Sequence, residues 1–176
     1  ITLTDTSKFT TSDNITYQLI NEITIGANYV LVIDEGKTLR IESNKKINNN
    51  STIVNNGTID FIYGTIATNS NSVLKNNGTI KINGTDSGTK SLLTHNDSGK
   101  TVNSGTITIG EYGRLINDGS ASKITNNTTG TIINYGTMEI RNGSNFLNYG
   151  NVSGNNPDLT NGNILGTWSD GSDVIA

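Results

Sequence analysis

VLKNNGTIKI, residues 73–82, decides the fold, because versions of it recur along the chain. TIVNNGTIDF at 52–61, KTVNSGTITI at 100–109 and TIINYGTMEI at 131–140 share the form apolar-x-Asn-x-Gly-Thr-Ile-x-Ile. LINDGSAS at 115–122 and FLNYGNVS at 146–153 are looser copies, and INNNSTI at 47–53 carries Ser51 in the glycine position. The reference glycines are Gly57, Gly78, Gly105, Gly119, Gly136 and Gly150. Two and four residues after them stand Ile59 and Phe61, Ile80 and Ile82, Ile107 and Ile109, Met138 and Ile140. One and three residues after them stand Thr58 and Asp60, Thr79 and Lys81, Thr106 and Thr108, Thr137 and Glu139. A period of two makes each segment a strand with an apolar inner face and a wet outer one. A strand this short cannot bury its apolar pair alone, so the copies must stack along an axis.

The spacing sets the shape of the stack. Gly57, Gly64, Asn71 and Gly78 fall seven residues apart, so the unit is one side of a coil, and three sides make a coil of about 20 residues. The polar stretch NGTDSGTK at 83–90 is expected to loop out of one coil. Irregular sides argue against a strict hexapeptide left-handed helix and for a right-handed parallel β-helix, the hand that parallel crossovers favour. The expected class is therefore all-β, a β-solenoid with terminal caps. YQLINEITIGANYVLVIDEGKTLRIE at 17–42 has longer alternating strands and reads as the opening coils of a solenoid over 17–156. Residues 1–16 are expected to cover the first coil's edge as a cap or edge strand. The repeat fades at Pro157, the chain's one proline, so 157–176 reads as a cap or tail, with Leu159, Ile164, Leu165, Trp168 and Val174 in a polar setting.

Composition agrees and excludes some partners. The chain of 176 residues is 32% hydrophobic and 15% charged, with 20 glycines, which suits short strands and tight turns rather than helices. A net charge of −3 with scattered basic residues lacks the footprint of nucleic-acid binding, and no apolar run approaches the roughly 18 residues of a membrane span. Cysteine is absent, which excludes disulfides and thiolate metal sites. Ile1 opens on polar, strand-like sequence without a signal-peptide pattern, as in a mature or trimmed chain.

The GKTLRI stretch at 36–41 and the NNGTI copies resemble the pectin-lyase-like superfamily of right-handed β-helices, in particular the non-catalytic type of surface adhesins and viral fibres. The resemblance covers about residues 17–153. It implies fold more than function, because enzymes, adhesins and tailspikes share such coils.

Asn49, Asn55, Asn76, Asn103, Asn117, Asn134 and Asn148 stand two residues before the turn position with inward parity, and are expected to bond one another in a buried amide ladder. The following glycine is expected to take positive φ. Tyr63, Tyr112, Tyr135 and Tyr149 each precede a turn glycine with outward parity; they read as shields of a wet sheet, or as a platform for a surface glycan. Thr58, Thr65, Thr79, Thr106 and Thr137 suggest a rank for ice binding, but the companion rank, Asp60, Lys81, Thr108, Glu139 and Ser153, is charged and irregular. Asp60 and Lys81 are expected to be cross-coil neighbours on a solvated face. His95, in THNDSGK, reads as a solvated loop histidine, and the acidic stretches TDSG at 85–88 and SDGSD at 169–173 as loops. Sequons at Asn14, Asn56, Asn77, Asn83, Asn126, Asn142 and Asn151 hint weakly at an extracellular setting. No catalytic, cofactor or metal site is expected. An enzyme acting on polysaccharide would need separated acids such as Asp34, Asp60 or Asp86 to converge. The expected role is a non-catalytic structural solenoid on a cell surface, extracellular fibre or virion, able to associate end to end. A carbohydrate-binding adhesin, then an ice-binding protein, then a polysaccharide lyase or hydrolase follow as alternatives.

Overall fold

Because each side of the repeat buries two residues and then turns, the chain winds rather than folding back on itself. The computed structural model describes residues 1–166, and all regular structure among them is β, in 22 strands of two to five residues. The strands form three sheets, stacked as a solenoid of about 7 turns, with coils roughly 22 residues apart. Sheet 1 runs from Val30–Ile33 to Asn163–Leu165, sheet 2 from Phe9–Thr10 to Asn151–Gly154, and sheet 3 from Ile23–Ile25 to Asp158–Thr160. All neighbouring strands pair in parallel except the first pair of sheet 2, where Phe9–Thr10 lies antiparallel to Thr16–Leu19.

Register holds the interior in columns. Leu39, Ile59, Ile80, Ile107 and Ile132 occupy one register in successive coils of sheet 2, and each is completely buried. Full burial of one such side chain stabilises by about 1.5–3 kcal/mol, so the columns supply the main drive for stacking. The inner face of a strand in one coil is thus completed only by the next coil, which is the physical content of the repeat.

The copies of the motif do not all occupy the same corner. Those at 52–61, 73–82, 100–109 and 146–153 join sheet 1 to sheet 2. The copy at 131–140 joins sheet 2 to sheet 3, and those at 47–53 and 115–122 lie where sheet 3 passes to sheet 1. The motif therefore encodes one corner of any kind. Thr65 and Thr137 consequently lie in sheet 3, apart from Thr58, Thr79 and Thr106 in sheet 2.

At the N-terminal end Thr2 bridges to Val32, Phe9 pairs with Leu19, and Leu3 and Phe9 are buried against the first coil. At the other end Asp158–Thr160 and Asn163–Leu165 continue sheets 3 and 1 beyond the boundary expected at 156. The proline is tolerated because it precedes a strand instead of interrupting one. Trp168, Val174 and the stretch 169–173 lie outside the described residues.

Candidate functional site

The seven asparagines read from the sequence are all buried, but they do not form one column. Asn55, Asn76, Asn103 and Asn148 end strands of sheet 1, and Asn126 belongs with them. Asn55 Nδ2 donates to Asn76 Oδ1 at 2.7 Å, Asn76 to Asn103 at 2.7 Å, Asn103 to Asn126 at 2.8 Å and Asn126 to Asn148 at 2.8 Å. These bonds span 21, 27, 23 and 22 residues of sequence, so loops of different length are tolerated while the corner stays in register. The same amides reach backbone carbonyls of the following coil, such as Thr106 O at 3.1 Å from Asn76 Nδ2. Asn55 Oδ1, at the head of the column, is buried without a partner, because Ile33 holds that register in the preceding coil.

Asn49 and Asn117 instead close corners of sheet 3, donating to Val73 O at 3.1 Å and Asn145 O at 2.9 Å. Asn134 closes a corner of sheet 2 by donating to Asn155 O at 2.9 Å. A separate outer row carries no fixed sequence motif: Asn69 Nδ2 donates to Asn50 Oδ1 at 2.7 Å, Asn96 to Asn69 at 3.0 Å and Asn142 to Asp118 at 2.7 Å. Its signal is the second Asn of the pair Asn49-Asn50 and, less visibly, the polar residue after Thr68, His95, Asn117 and Arg141.

The turn glycines require a different reason from the one expected. Of the six, only Gly119 has a positive φ, 98°. At Gly78 a Cβ would strike Gly57 O, at Gly105 it would strike Gly78 O, and at Gly136 and Gly150 it would meet carbonyl oxygens of the preceding coil. At Gly57 the carbonyls are those of Asp34 and Lys37. Glycine is used here because coil backbones approach too closely for any side chain.

His95 is not a solvated loop residue. It ends the strand Ser91–His95, is completely buried, and stacks between Thr68 and Asn117 in register. Nε2 lies 2.6 Å from Thr101 Oγ1 and Nδ1 lies 3.3 Å from Ile116 O. Burial pushes its pKa down to about 4, against the opposing effect of the Ile116 carbonyl. The polar neighbours that suggested a loop belong to the corner after it, beginning at Asn96.

Tyr63, Tyr112 and Tyr135 share the corner between sheets 2 and 3, whereas Tyr149 lies on the corner between sheets 1 and 2. Tyr135 and Tyr149 are exposed and Tyr63 and Tyr112 half-buried. The loop 83–90 rises on the same corner between the coils of Tyr63 and Tyr112, and Gly84 sits against Tyr112. Within that loop Asp86 Oδ1 accepts from Gly88 N at 2.7 Å and Thr89 N at 3.0 Å, so its carboxylate closes its own turn.

On the outer face of sheet 2, Thr16, Thr38, Thr58, Thr79, Thr106 and Thr131 stand in one continuous register. Beside them run Gln18, Arg40, Asp60, Lys81 and Thr108. Asp60 and Lys81 are register neighbours, and Asp60 takes an ion pair from Arg40 at 3.5 Å. On sheet 3 a largely buried Glu139 is clasped by Arg114 at 2.7 Å and by Arg141. Asp34 lies after a strand of sheet 1, Asp60 on sheet 2 and Asp86 in the loop toward sheet 3, so these acids occupy separate places. No protein family, curated protein or solved structure matches this chain.

Proposed function

We propose that the chain is a non-catalytic structural solenoid, a rigid spacer or fibre element exposed on a cell surface or virion. The observation that carries this reading is the amide column from Asn55 to Asn148, which runs beside the isoleucine columns through five coils. The interior polar groups are directed at the neighbouring coil, and this is how a sequence specifies length and stiffness. At a strand spacing of about 4.8 Å, seven turns give a rod of about 34 Å. The resemblance of the NNGTI repeat to non-catalytic β-helices of the pectin-lyase-like superfamily points to the same reading. End-to-end association between copies fits the C-terminal end, where Leu165 is 56% exposed on the terminal strand of sheet 1 among the described residues. Immunogold electron microscopy of the native source tests the role: label on surface filaments or spikes is expected, and label confined to the cell interior overturns it.

A second reading, a carbohydrate-binding adhesin, draws on Tyr63, Tyr112 and Tyr135 sharing one edge. Ice binding gains the unbroken threonine register on sheet 2, but the adjoining Arg40, Asp60 and Lys81 break any second matched rank. A glycan array run with the native chain and with Y112A and Y135A separates the adhesin reading from the spacer: glycan retained by the native chain and lost in the tyrosine variants is expected only of the adhesin.

A further inference from the structure

Where the antiparallel edge strand Phe9–Thr10 meets the outer face of sheet 2, the turn that follows it leaves a cavity of about 280 Å³. Its wall is a row of donors. Thr10, Gln18 and Arg40 stand side by side across three strands, and Ser12 and Thr16 face them. Thr10, Ser12, Thr16 and Gln18 make no side-chain hydrogen bond among the described residues, so their polar ends are available. Asp13 also lines the cavity, but its Oδ1 already accepts from Ile15 N and Thr16 N at 2.8 Å each and from Thr11 Oγ1 at 3.2 Å. Those bonds turn Oδ1 toward its own backbone and keep the carboxylate ionised, so Arg40, the one cation of the lining, is the group that must draw an acid in.

Arg40 is the under-satisfied member. Its one bond is the 3.5 Å contact from Nη2 to Asp60, and its Nε is buried with no acceptor. A guanidinium favours a planar, bidentate acceptor, which the long contact to Asp60 does not provide. The buried Nε is beyond a ligand's reach, but the terminal nitrogens of this partly exposed side chain are not: a carboxylate entering the cavity would meet them, and the hydroxyls and the Gln18 amide would be left to read hydroxyl groups around it. The volume lies at the lower end of small-molecule sites, the size of one sugar ring rather than a chain.

We propose that this cavity binds a carboxylate-bearing monosaccharide, with Arg40 holding the carboxylate and Thr10, Ser12, Thr16 and Gln18 bonding the hydroxyls. The rod would then carry a recognition site at its N-terminal end, on a face distinct from the tyrosine edge. The site adds to the spacer reading and does not depend on where the protein is located.

The test is amide chemical-shift mapping of the ¹⁵N-labelled chain titrated with glucuronate, N-acetylneuraminate, glucose and acetate. At least one acidic sugar is expected to shift the amides of residues 10–18 and 40 in a saturable way, at least tenfold more tightly than glucose or acetate. R40Q should lose at least tenfold of that affinity, Q18A should lose part of it, and Y112A should retain it. Since Arg40 also meets Asp60, the amide spectrum of R40Q first confirms its fold, and Q18A tests the site should R40Q not fold. Equal binding of acetate would reduce the site to bare charge and overturn the sugar assignment. Equal binding of glucose, shifts elsewhere on the coil, or no shift with either acid would overturn the site itself, whatever microscopy shows of the rod.

Discussion

Asn103 receives a hydrogen bond from Asn76 Nδ2 on one side at 2.7 Å and donates one to Asn126 Oδ1 on the other at 2.8 Å. It also reaches Gly105 O at 3.2 Å and Thr131 O at 3.2 Å, so a single amide joins three coils. An amide suits this place because it is donor and acceptor at once, and repeats with the coil.

Asn103→Asp therefore tests the column. The carboxylate keeps the size but loses every donor, and it sets a buried negative charge against Asn126 Oδ1. An unpaired buried charge with broken hydrogen bonds costs about 3–5 kcal/mol, so a large drop in the denaturant midpoint is expected at pH 7. Asn103→Asp with a wild-type midpoint would mean that the column does not hold the coils together.

How this column was legible in the sequence, and how it was not, follows from its corners. Asn55, Asn76, Asn103 and Asn148 announce themselves by standing two residues before glycine. Asn126 performs the same task four residues before Gly130, because its corner is longer, so no fixed spacing reveals it. The strand alternation was readable because parity is local: a residue's side is set by its immediate neighbours. Which sheet a copy joins is not local, since it depends on counting every preceding side, and copies that look alike diverge at 131–140 for this reason. His95 departs from the loop expectation because polarity stands for exposure only where nothing stacks above and below.

Gly78 offers a test of close approach against backbone strain. A Cβ there would strike Gly57 O, and φ is not positive, so Gly78→Ala should already destabilise, by about 1–3 kcal/mol, and Gly78→Val more. Gly26 is the control: nothing lies within 4 Å of its Cβ position and its φ is not positive. Gly26→Ala should be neutral or stabilise by about 0.4–1 kcal/mol through the unfolded chain. Equal thermal shifts for the two alanine variants would contradict the close contact.

The isoleucine column can be interrupted at Ile80, which lies in register between Ile59 and Ile107. Ile80→Ala should cost about 2–5 kcal/mol, and Ile80→Asp should remove cooperative unfolding, since no cation lies on the inner face of that column to pair with it. Circular dichroism during denaturation reads both. A cooperative β transition retained in Ile80→Asp would show that this register does not face the core.

Acid should weaken the solenoid through His95. Its folded pKa of about 4 lies below its ordinary 6.5, so the unfolded chain binds the proton more readily. Stability is then complete above pH 6.5, falls as pH drops from 6.5 toward 4, and flattens below. The gap corresponds to roughly 3 kcal/mol. The inner residues beside it in register, Thr68 and Asn117, carry no charge to compensate, and Asp97 and Asp118 at the same corner accept from Ser70 and Asn142. Asp5, held at about 2 by Lys8 and Ser7, acts in a lower window. Urea denaturation between pH 4 and 7 should show the slope in the native chain and lose it in His95→Gln; the same slope in both would assign the effect elsewhere.

The covered N-terminal end makes a last prediction about assembly. Residues 1–11 supply the bridge from Thr2 to Val32, the pairing of Phe9 with Leu19, and the buried side chains of Leu3 and Phe9. Removing them leaves the parallel ladders from Thr16 onward intact, but it uncovers the outer edge of Thr16–Leu19 and the apolar surfaces of Tyr17 and Leu19. An exposed strand edge beside fresh apolar surface invites pairing with another chain. With the edges of sheets 2 and 1 covered in this way, an incoming copy finds only the three residues Ile23–Ile25 of sheet 3 open at this end, and association there is expected to stop at pairs. With both ends open it can continue. Light scattering across a wide concentration range should find the intact chain no larger than a dimer and the chain lacking 1–11 forming longer, concentration-dependent rods with unchanged β circular dichroism. If the truncated chain matches the intact one in size, the N-terminal residues do not limit assembly, and any fibre must form through lateral faces instead.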